Sequence, residues 1–189
     1  MRIKNKVYLL TISALLSAIG VLIPVVVPIR VVLEPASYTL ASHVPIFIAL
    51  FISPMTAVVV AIGTAMGFFL GGFPLVVVLR AATHIIWAFL GATLLQNNEH
   101  MLDSKQGSVM FSLMIGLVHA ACEMLVVMPF FLANRMAPGY YSRGFIVSVV
   151  LLVGLGTLLH SMVDYYFATL IWKPLRKVVQ VPETDRLSA

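Results

Sequence analysis

Apolar residues dominate six long runs of the chain, which cover approximately 7–27, 37–52, 55–71, 75–95, 108–132 and 145–172. At a rise of about 1.5 Å per residue, these runs are long enough to cross a bilayer, or nearly so. They are apolar all round rather than along one stripe, which excludes helices lying on a membrane surface. The sequence therefore predicts an all-α integral membrane protein, a single domain built as a bundle of six transmembrane helices.

Proline, glycine and polar residues separate the runs. Both Pro and Gly end helices, the first by removing a backbone donor and the second by relaxing φ. The breaks contain Pro28 with Arg30 and Glu34, then Ser53-Pro54, Gly71–Pro74, and the longer segments 96–107 and 133–143. Because only Ser53 and Pro54 separate the second and third runs, these two are predicted to form a tight helical hairpin.

Composition supports the membrane assignment. Of the 189 residues, 61% are hydrophobic and only 10% are charged, and the mean hydropathy is +1.04. A soluble domain of this size needs far more charged surface. The first run is longer than the core of a signal peptide and more apolar runs follow it, so we interpret it as a retained span. The single cysteine, Cys122, excludes an intrachain disulfide and a cysteine-based zinc site.

Basic residues predict the orientation. If the N-terminus is cytoplasmic, eight of the 12 Lys and Arg residues lie on the inner side, three on the outer side, and Arg80 inside a span. This asymmetry favours both termini in the cytoplasm of a bacterial cell. The longest polar segment, 96–107, lacks a phosphate-binding pattern, so the chain is not expected to hydrolyse ATP alone. Serine-hydrolase patterns are also absent, and we predict a protein that is not an enzyme.

Ionisable residues inside the predicted spans mark a functional site by default, because charge is costly in hydrocarbon. They form three i,i+4 pairs, each on one helix face, and His43 lies shallower in the second span: Arg80/His84, His119/Glu123 and His160/Asp164. Counting residues from the predicted outer ends places Arg80, His84, Glu123 and His43 in one outward-facing cavity. The same count places His160 and Asp164 below it.

Structural roles for these residues stay open. Arg80 and Glu123 could neutralise each other as an ion pair, and His119 and His160 could serve as donors between packed helices. A metal site is not predicted, because the residues lie at different depths and no H-E-x-x-H pattern is present. No cofactor is expected either.

Small residues in the first span form two overlapping stripes, Ser13/Ser17 and Ala14/Ala18. Such stripes let another helix approach closely. The neighbour could be a partner protein or another helix of the same bundle.

The whole chain resembles the substrate-binding S component of an energy-coupling factor (ECF) vitamin transporter. The resemblance rests on Ala14/Ala18, an extended first outer loop, the segment Leu40–Phe47, and the segment Gly63–Arg80 with its Gly-Gly-Phe-Pro turn. It implies six spans, cytoplasmic termini and a vitamin held near the outer side. It also implies that the first span docks on a transmembrane coupling subunit driven by two ATPase subunits. The Ser-His-Val-Pro stretch and Phe73–Arg80 are most similar to the niacin-specific members. Pantothenate and hydroxymethylpyrimidine carriers are the alternatives.

The predicted function is high-affinity capture of a small anionic vitamin, and niacin is the leading candidate. Arg80 would hold its carboxylate, His84 or His43 would donate to the ring nitrogen or the carboxylate, and Glu123 would lie beside them. The aromatic residues for stacking are Trp87, Tyr140 and Tyr141, although Trp87 could be a packing residue. The predicted docking residues are Ser13, Ala14, Ser17 and Ala18. The competing class is an autonomous proton-coupled transporter that uses Glu123 and Asp164 as proton carriers.

Overall fold

A computed structural model describes residues 2–33, 36–98, 100–136 and 138–179. Its elements, in chain order, are helix α1 (Arg2–Val26), strands β1 (Arg30–Leu33) and β2 (Ala36–Thr39), and helices α2 (Val44–Ile52), α3 (Pro54–Leu70), α4 (Leu75–Asn97) and α5 (Lys105–Leu132). A 3-10 turn follows at Pro138–Tyr140. The last helix is continuous, first as a π-helix (Ile146–Leu155) and then as α6 (Gly156–Leu175). The predicted all-α membrane class is confirmed, with one short hairpin added.

Within the described residues, four helices are long and apolar enough to cross a membrane. They are α1, α4, α5 and the continuous helix Ile146–Leu175. Helix α3 has 17 residues and is shorter. Large apolar side chains remain exposed along all of these helices, as lipid-facing residues do; among them are Leu15, Met66, Phe89, Leu125 and Leu159. The count of six crossings and the cytoplasmic position of the termini stay predictions.

The predicted second span, 37–52, is wrong in its first half. Strand β2 occupies 36–39 and pairs antiparallel with β1, with Arg30 opposite Thr39 and Val31 opposite Tyr38. Helix α2 starts only at Val44 and has nine residues, about 14 Å of helix. Eight of the nine are buried, and α2 contacts α1, α3, α4 and α6. Apolar composition alone could not separate a spanning helix from a short helix enclosed by other helices.

The tight hairpin predicted at Ser53-Pro54 is confirmed. The Ser53 hydroxyl accepts a hydrogen bond from the Thr56 backbone N–H at 3.2 Å and caps α3. Pro54 is the first residue of α3, where a missing N–H costs nothing. Helix α2 therefore begins inside the bundle and reverses into α3 at this point.

Glycines bring α1 and α3 together. Gly20 packs against Thr64, Gly63 against Ser17 and Gly67 against Val21. This contact decides which small-residue stripe of α1 is available to another protein. Ser13 is buried and Ser17 partly buried, while Ala14 and Ala18 are exposed. Ser17 packs against Gly63 of the bundle's own α3, and Ser13 is buried within the bundle. Of the four predicted docking residues, only Ala14 and Ala18 are therefore exposed to a partner.

Gly63→Ala should lower the melting temperature of the detergent-purified protein. A Cβ at this position would overlap the Ser17 hydroxyl and lie 2.8 Å from the Ser17 Cβ. Overpacking of this kind costs about 1–3 kcal/mol. The second change Ser17→Gly should recover part of the loss, because it removes both overlapping atoms. An unchanged melting temperature in Gly63→Ala would contradict the close α1–α3 contact.

Candidate functional site

A cavity of about 290 Å³ lies at the end of the bundle that carries the β1–β2 hairpin. This volume is at the lower end of the range for small-molecule sites. Its walls come from the last turn of α1, the hairpin, and the adjoining ends of the other helices. The polar wall residues are Arg30, Tyr38, Thr39, Ser42, His43, Thr64, Arg80, His84, Glu123, Tyr140, Thr157 and His160. The apolar wall is formed mainly by Phe68, Phe73, Val76, Val77, Val127 and Met136.

Glu123 joins three helices through one of its oxygens. Arg80 Nη2 on α4 donates to Glu123 Oε2 at 2.6 Å. Thr157 Oγ1 on α6 donates to the same oxygen at 2.6 Å. Glu123 is 3% exposed, and a carboxylate this deep needs a charged partner. Arg80 and Glu123 thus meet at the cavity, as predicted, and they also form the ion pair that was the alternative structural role.

Histidines surround the other oxygen of Glu123. His84 Nε2 lies 3.6 Å and His119 Nε2 3.4 Å from Glu123 Oε1. The His43 ring lies 4.8 Å from that of His84 and 4.7 Å from that of His119, between ring centroids. All three histidines are buried. The i,i+4 pairs of α4 and α5 thus point inward, and His43 lies against them.

Asp164 anchors the start of α2. Its Oδ1 accepts the Ala41 backbone N–H at 2.8 Å, and its Oδ2 accepts the His43 backbone N–H at 2.9 Å. The His43 ring adds Nδ1 at 3.1 Å from Oδ2, and His160 Nε2 lies 3.2 Å from the same atom. A carboxylate is favoured at a helix N-terminus by the exposed N–H groups and the helix dipole. Asp164 therefore has a structural role in holding His43 in place.

The prediction that His160 lies below the cavity is wrong, because His160 lines the cavity. Asp164, predicted to lie below the cavity, is not among the wall residues, and it contacts His43. Two features explain the error. The residues before α2 turn inward and bring His43 into the bundle. The last helix is π-helical over Ile146–Leu155, and i→i+5 bonding packs more residues into each turn than the α-helix assumed in the count.

The predicted aromatic residues separate into three positions. Tyr140 lies on the cavity wall. Trp87 is fully buried and packs on Phe47 and His119, at centroid distances of 4.8 and 5.0 Å. Trp87 is not among the wall residues. It is a packing residue, which was the alternative to a stacking role. The Tyr141 hydroxyl accepts the Met136 backbone N–H at 2.9 Å, outside the cavity. The rings of Phe68 and Phe73, which were not predicted, stack on the cavity wall with their centroids 4.6 Å apart.

Several wall residues were missed. Arg30 and Tyr38 come from the hairpin, which hydropathy had assigned partly to a loop and partly to a span. The Tyr38 hydroxyl donates to the Leu152 carbonyl, and Gly156 leaves room for its ring, since a Cβ there would lie 2.8 Å from Tyr38 Cζ. Burial raises the pKa of Tyr38 to about 12, so it remains a neutral donor. Thr157 gave no signal, because a threonine in a span most often bonds its own helix.

Asp164→Ala should destabilise the protein strongly. It leaves the backbone N–H groups of Ala41 and His43 without their acceptor, at a cost of about 1–3 kcal/mol each. Asp164→Asn should be intermediate, because one oxygen remains. The measurement is the melting temperature in detergent, with Asp103→Ala as the matched control, since Asp103 is an exposed carboxylate paired with His100. Equal melting temperatures for Asp164→Ala and the control would contradict the anchoring role.

A helical bundle with a lipid-facing apolar surface and a small polar cavity near one end defines a multi-pass transport protein of the cell membrane. Niacin transporter NiaX of Lactococcus lactis subsp. cremoris (strain MG1363) is 34% identical over 183 residues, which cover 97% of this chain and 81% of that transporter. The chain belongs to the membrane-transporter family of NiaX, and the predicted class, a transporter rather than an enzyme, is confirmed. Neither a family model nor a solved structure matches it.

Proposed function

We propose that this protein is the substrate-capture (S) component of an ATP-driven ECF-type importer and binds niacin in the cavity beside Arg80. The observation that carries the proposal is the state of the Arg80 guanidinium. It lines the cavity, and one of its nitrogens, Nη2, bonds Glu123. Its Nε has no hydrogen-bond partner among the described residues. A guanidinium that keeps a donor beyond the nitrogen bonded to its ion-pair partner is suited to a carboxylate, which a guanidinium can bind through two parallel hydrogen bonds.

The rest of the cavity suits a small flat ring. The stacked side chains of Phe68 and Phe73 form one apolar wall. The rings of His43, His84 and His160 lie on the polar side, where a ring N–H can donate to a pyridine nitrogen. A pyridine carboxylate therefore meets a cation, an apolar surface and a ring donor. The relationship to a niacin transporter supports the same substrate.

Coupling to ATP hydrolysis would come from partner subunits. In this proposal the protein crosses the membrane six times with both termini in the cytoplasm, and the hairpin end faces outward. The exposed stripe Ala14/Ala18 on α1 is the proposed contact with the transmembrane coupling subunit, because small side chains admit close approach of another helix. Two ATPase subunits would complete the importer.

The proposal is tested by calorimetric titration of the detergent-purified chain with niacin, nicotinamide, pantothenate and hydroxymethylpyrimidine. We expect saturable 1:1 binding of niacin and much weaker binding of nicotinamide, which lacks the carboxylate. Mass spectrometry of the small molecule that co-purifies with the chain gives an independent answer. Tighter binding of pantothenate or hydroxymethylpyrimidine would contradict the niacin assignment.

Reconstitution separates this proposal from the proton-coupled alternative. The chain alone in proteoliposomes should bind niacin without accumulating it when a proton gradient is imposed. The contacts of Asp164 favour this outcome, since both of its oxygens accept backbone N–H groups that a protonated carboxyl would hold less well. Accumulation by the chain alone would instead support the autonomous transporter.

A further inference from the structure

We propose that His43, His84, His119 and Glu123 form a binding site for one divalent transition-metal ion of the Zn²⁺ type at the inner end of the cavity. The ligand atoms of these four residues, one from each, all lie within 4.8 Å of one another. They come from the start of α2, from α4 and from α5, so only the folded bundle brings them together. Three imidazole nitrogens and one carboxylate oxygen are a donor set that binds zinc, nickel or copper.

The spacing around Glu123 is close to that of a tetrahedral metal site. Bonds of about 2.1 Å place neighbouring ligand atoms of a tetrahedron about 3.4 Å apart. His119 Nε2 and His84 Nε2 lie 3.4 and 3.6 Å from Glu123 Oε1. The oxygen that faces these histidines is also the one that Arg80 and Thr157 leave free, since both of those residues bond Oε2.

Unpaired nitrogens are the second observation that points to a ligand. His119 Nε2 and both ring nitrogens of His84 are buried and lack a hydrogen-bond partner within the described chain. The two Nε2 atoms lie 3.6 and 3.4 Å from Glu123 Oε1, outside hydrogen-bond geometry. Buried polar atoms of this kind are rare and need an explanation such as an ion. A metal bound between the rings and Glu123 Oε1 would satisfy His119 Nε2 and one nitrogen of His84.

The outer contacts of the cluster resemble those that orient metal ligands. His119 Nδ1 lies 3.3 Å from Ser161 Oγ, and His43 Nδ1 lies 3.1 Å from Asp164 Oδ2. In metal sites a ligating histidine bonds such a partner through its other nitrogen, which fixes the ring. A second possible set, His43, His160 and Asp164, is less suited, because both Asp164 oxygens already accept backbone N–H groups.

Titration of the full-length chain with Zn²⁺ tests the site. The protein carries no polyhistidine tag and is first stripped with a chelator. We expect one Zn²⁺ per chain by elemental analysis, and Co²⁺ in its place should show the visible absorption of a tetrahedral site with nitrogen and oxygen donors. Neither measurement needs a variant. Failure of the unmodified chain to retain Zn²⁺, or a Co²⁺ spectrum typical of octahedral coordination by water, would overturn the proposal.

Variants locate the ion. His119→Gln should weaken Zn²⁺ binding by more than about 100-fold, and Ser161→Ala by about 10–100-fold, as loss of an outer partner does. His160→Gln should weaken binding far less than His119→Gln does, because His160 is not one of the four ligands. His100→Ala should leave binding unchanged; His100 is the matched control because it is exposed beside Asp103. Folding is checked by the melting temperature of each variant. Unchanged Zn²⁺ affinity in folded His119→Gln would overturn the site, and loss in His160→Gln would place the ion at the second set.

His43 and His84 belong both to the metal site and to the proposed niacin site, so the two proposals are tested separately. Arg80→Ala should retain Zn²⁺, because a guanidinium has no lone pair available to a metal. Niacin binding is measured separately with a chelator present. Zn²⁺ binding without niacin binding would overturn only the proposed function, and niacin binding without Zn²⁺ binding would overturn only the metal site.

Discussion

Arg80→Ala should lower the affinity for niacin by at least about 100-fold, which corresponds to about 2.7 kcal/mol. The variant removes the guanidinium that pairs with Glu123 and lines the cavity. Hydrogen bonds between charged partners contribute about 1.5–3 kcal/mol each, and a guanidinium can offer two to a carboxylate. Arg80→Lys should recover only part of the affinity, because an ammonium is a point charge without the planar fork. The measurement is calorimetric titration of the detergent-purified protein.

Two controls separate recognition from folding. Arg80→Ala leaves the buried Glu123 carboxylate without its cation, so the double variant Arg80→Ala/Glu123→Gln should restore the melting temperature without restoring affinity. The Arg143→Ala variant should bind niacin normally, because Arg143 is an exposed arginine just before the last helix and is not among the cavity wall residues. Nicotinamide, which lacks the carboxylate, should lose far less affinity in Arg80→Ala. Near-normal niacin affinity in a folded Arg80→Ala protein would contradict the assignment.

Ala18→Trp should abolish uptake by cells while the purified protein binds niacin normally. Ala18 is exposed on α1, so the larger side chain fits the isolated chain without overlap. The α1 residue on the cavity wall is Pro24, which lies further along the helix than Ala18. If a partner helix packs directly on the Ala14/Ala18 stripe, an indole ring prevents that approach. The measurements are uptake of labelled niacin, co-purification of the coupling and ATPase subunits, and niacin titration.

The matched control is Leu125→Trp, which places the same ring on an exposed position of α5. That variant should assemble and transport normally, since α5 carries no proposed docking stripe. Ser17→Trp should behave differently again and destabilise the chain itself, because Ser17 packs against Gly63. Assembly and uptake that survive Ala18→Trp would place the docking surface elsewhere.

Local features of the sequence were sufficient for the membrane class and for the breaks between helices. Hydropathy decides whether a segment can leave water, and that property depends on composition rather than on neighbours. The Ser53-Pro54 reversal follows from local backbone chemistry in the same way. The i,i+4 spacing of His119 and Glu123 also required both to share one helix face, because that spacing is a property of every α-helix.

The tertiary structure alone decided which polar groups meet and at what depth. Whether α2 spans or is enclosed depends on the helices around it, so its start at Val44 could not be read from an apolar run. The contact of His43 with Asp164 joins residues 121 apart in the chain, and no local spacing carries that information. Which of the two stripes of α1 is enclosed depends on α3, since Ser17 packs against Gly63 while Ala14 and Ala18 remain exposed. Composition measures the tendency to be buried, whereas the choice of partner is settled by packing between elements distant in sequence.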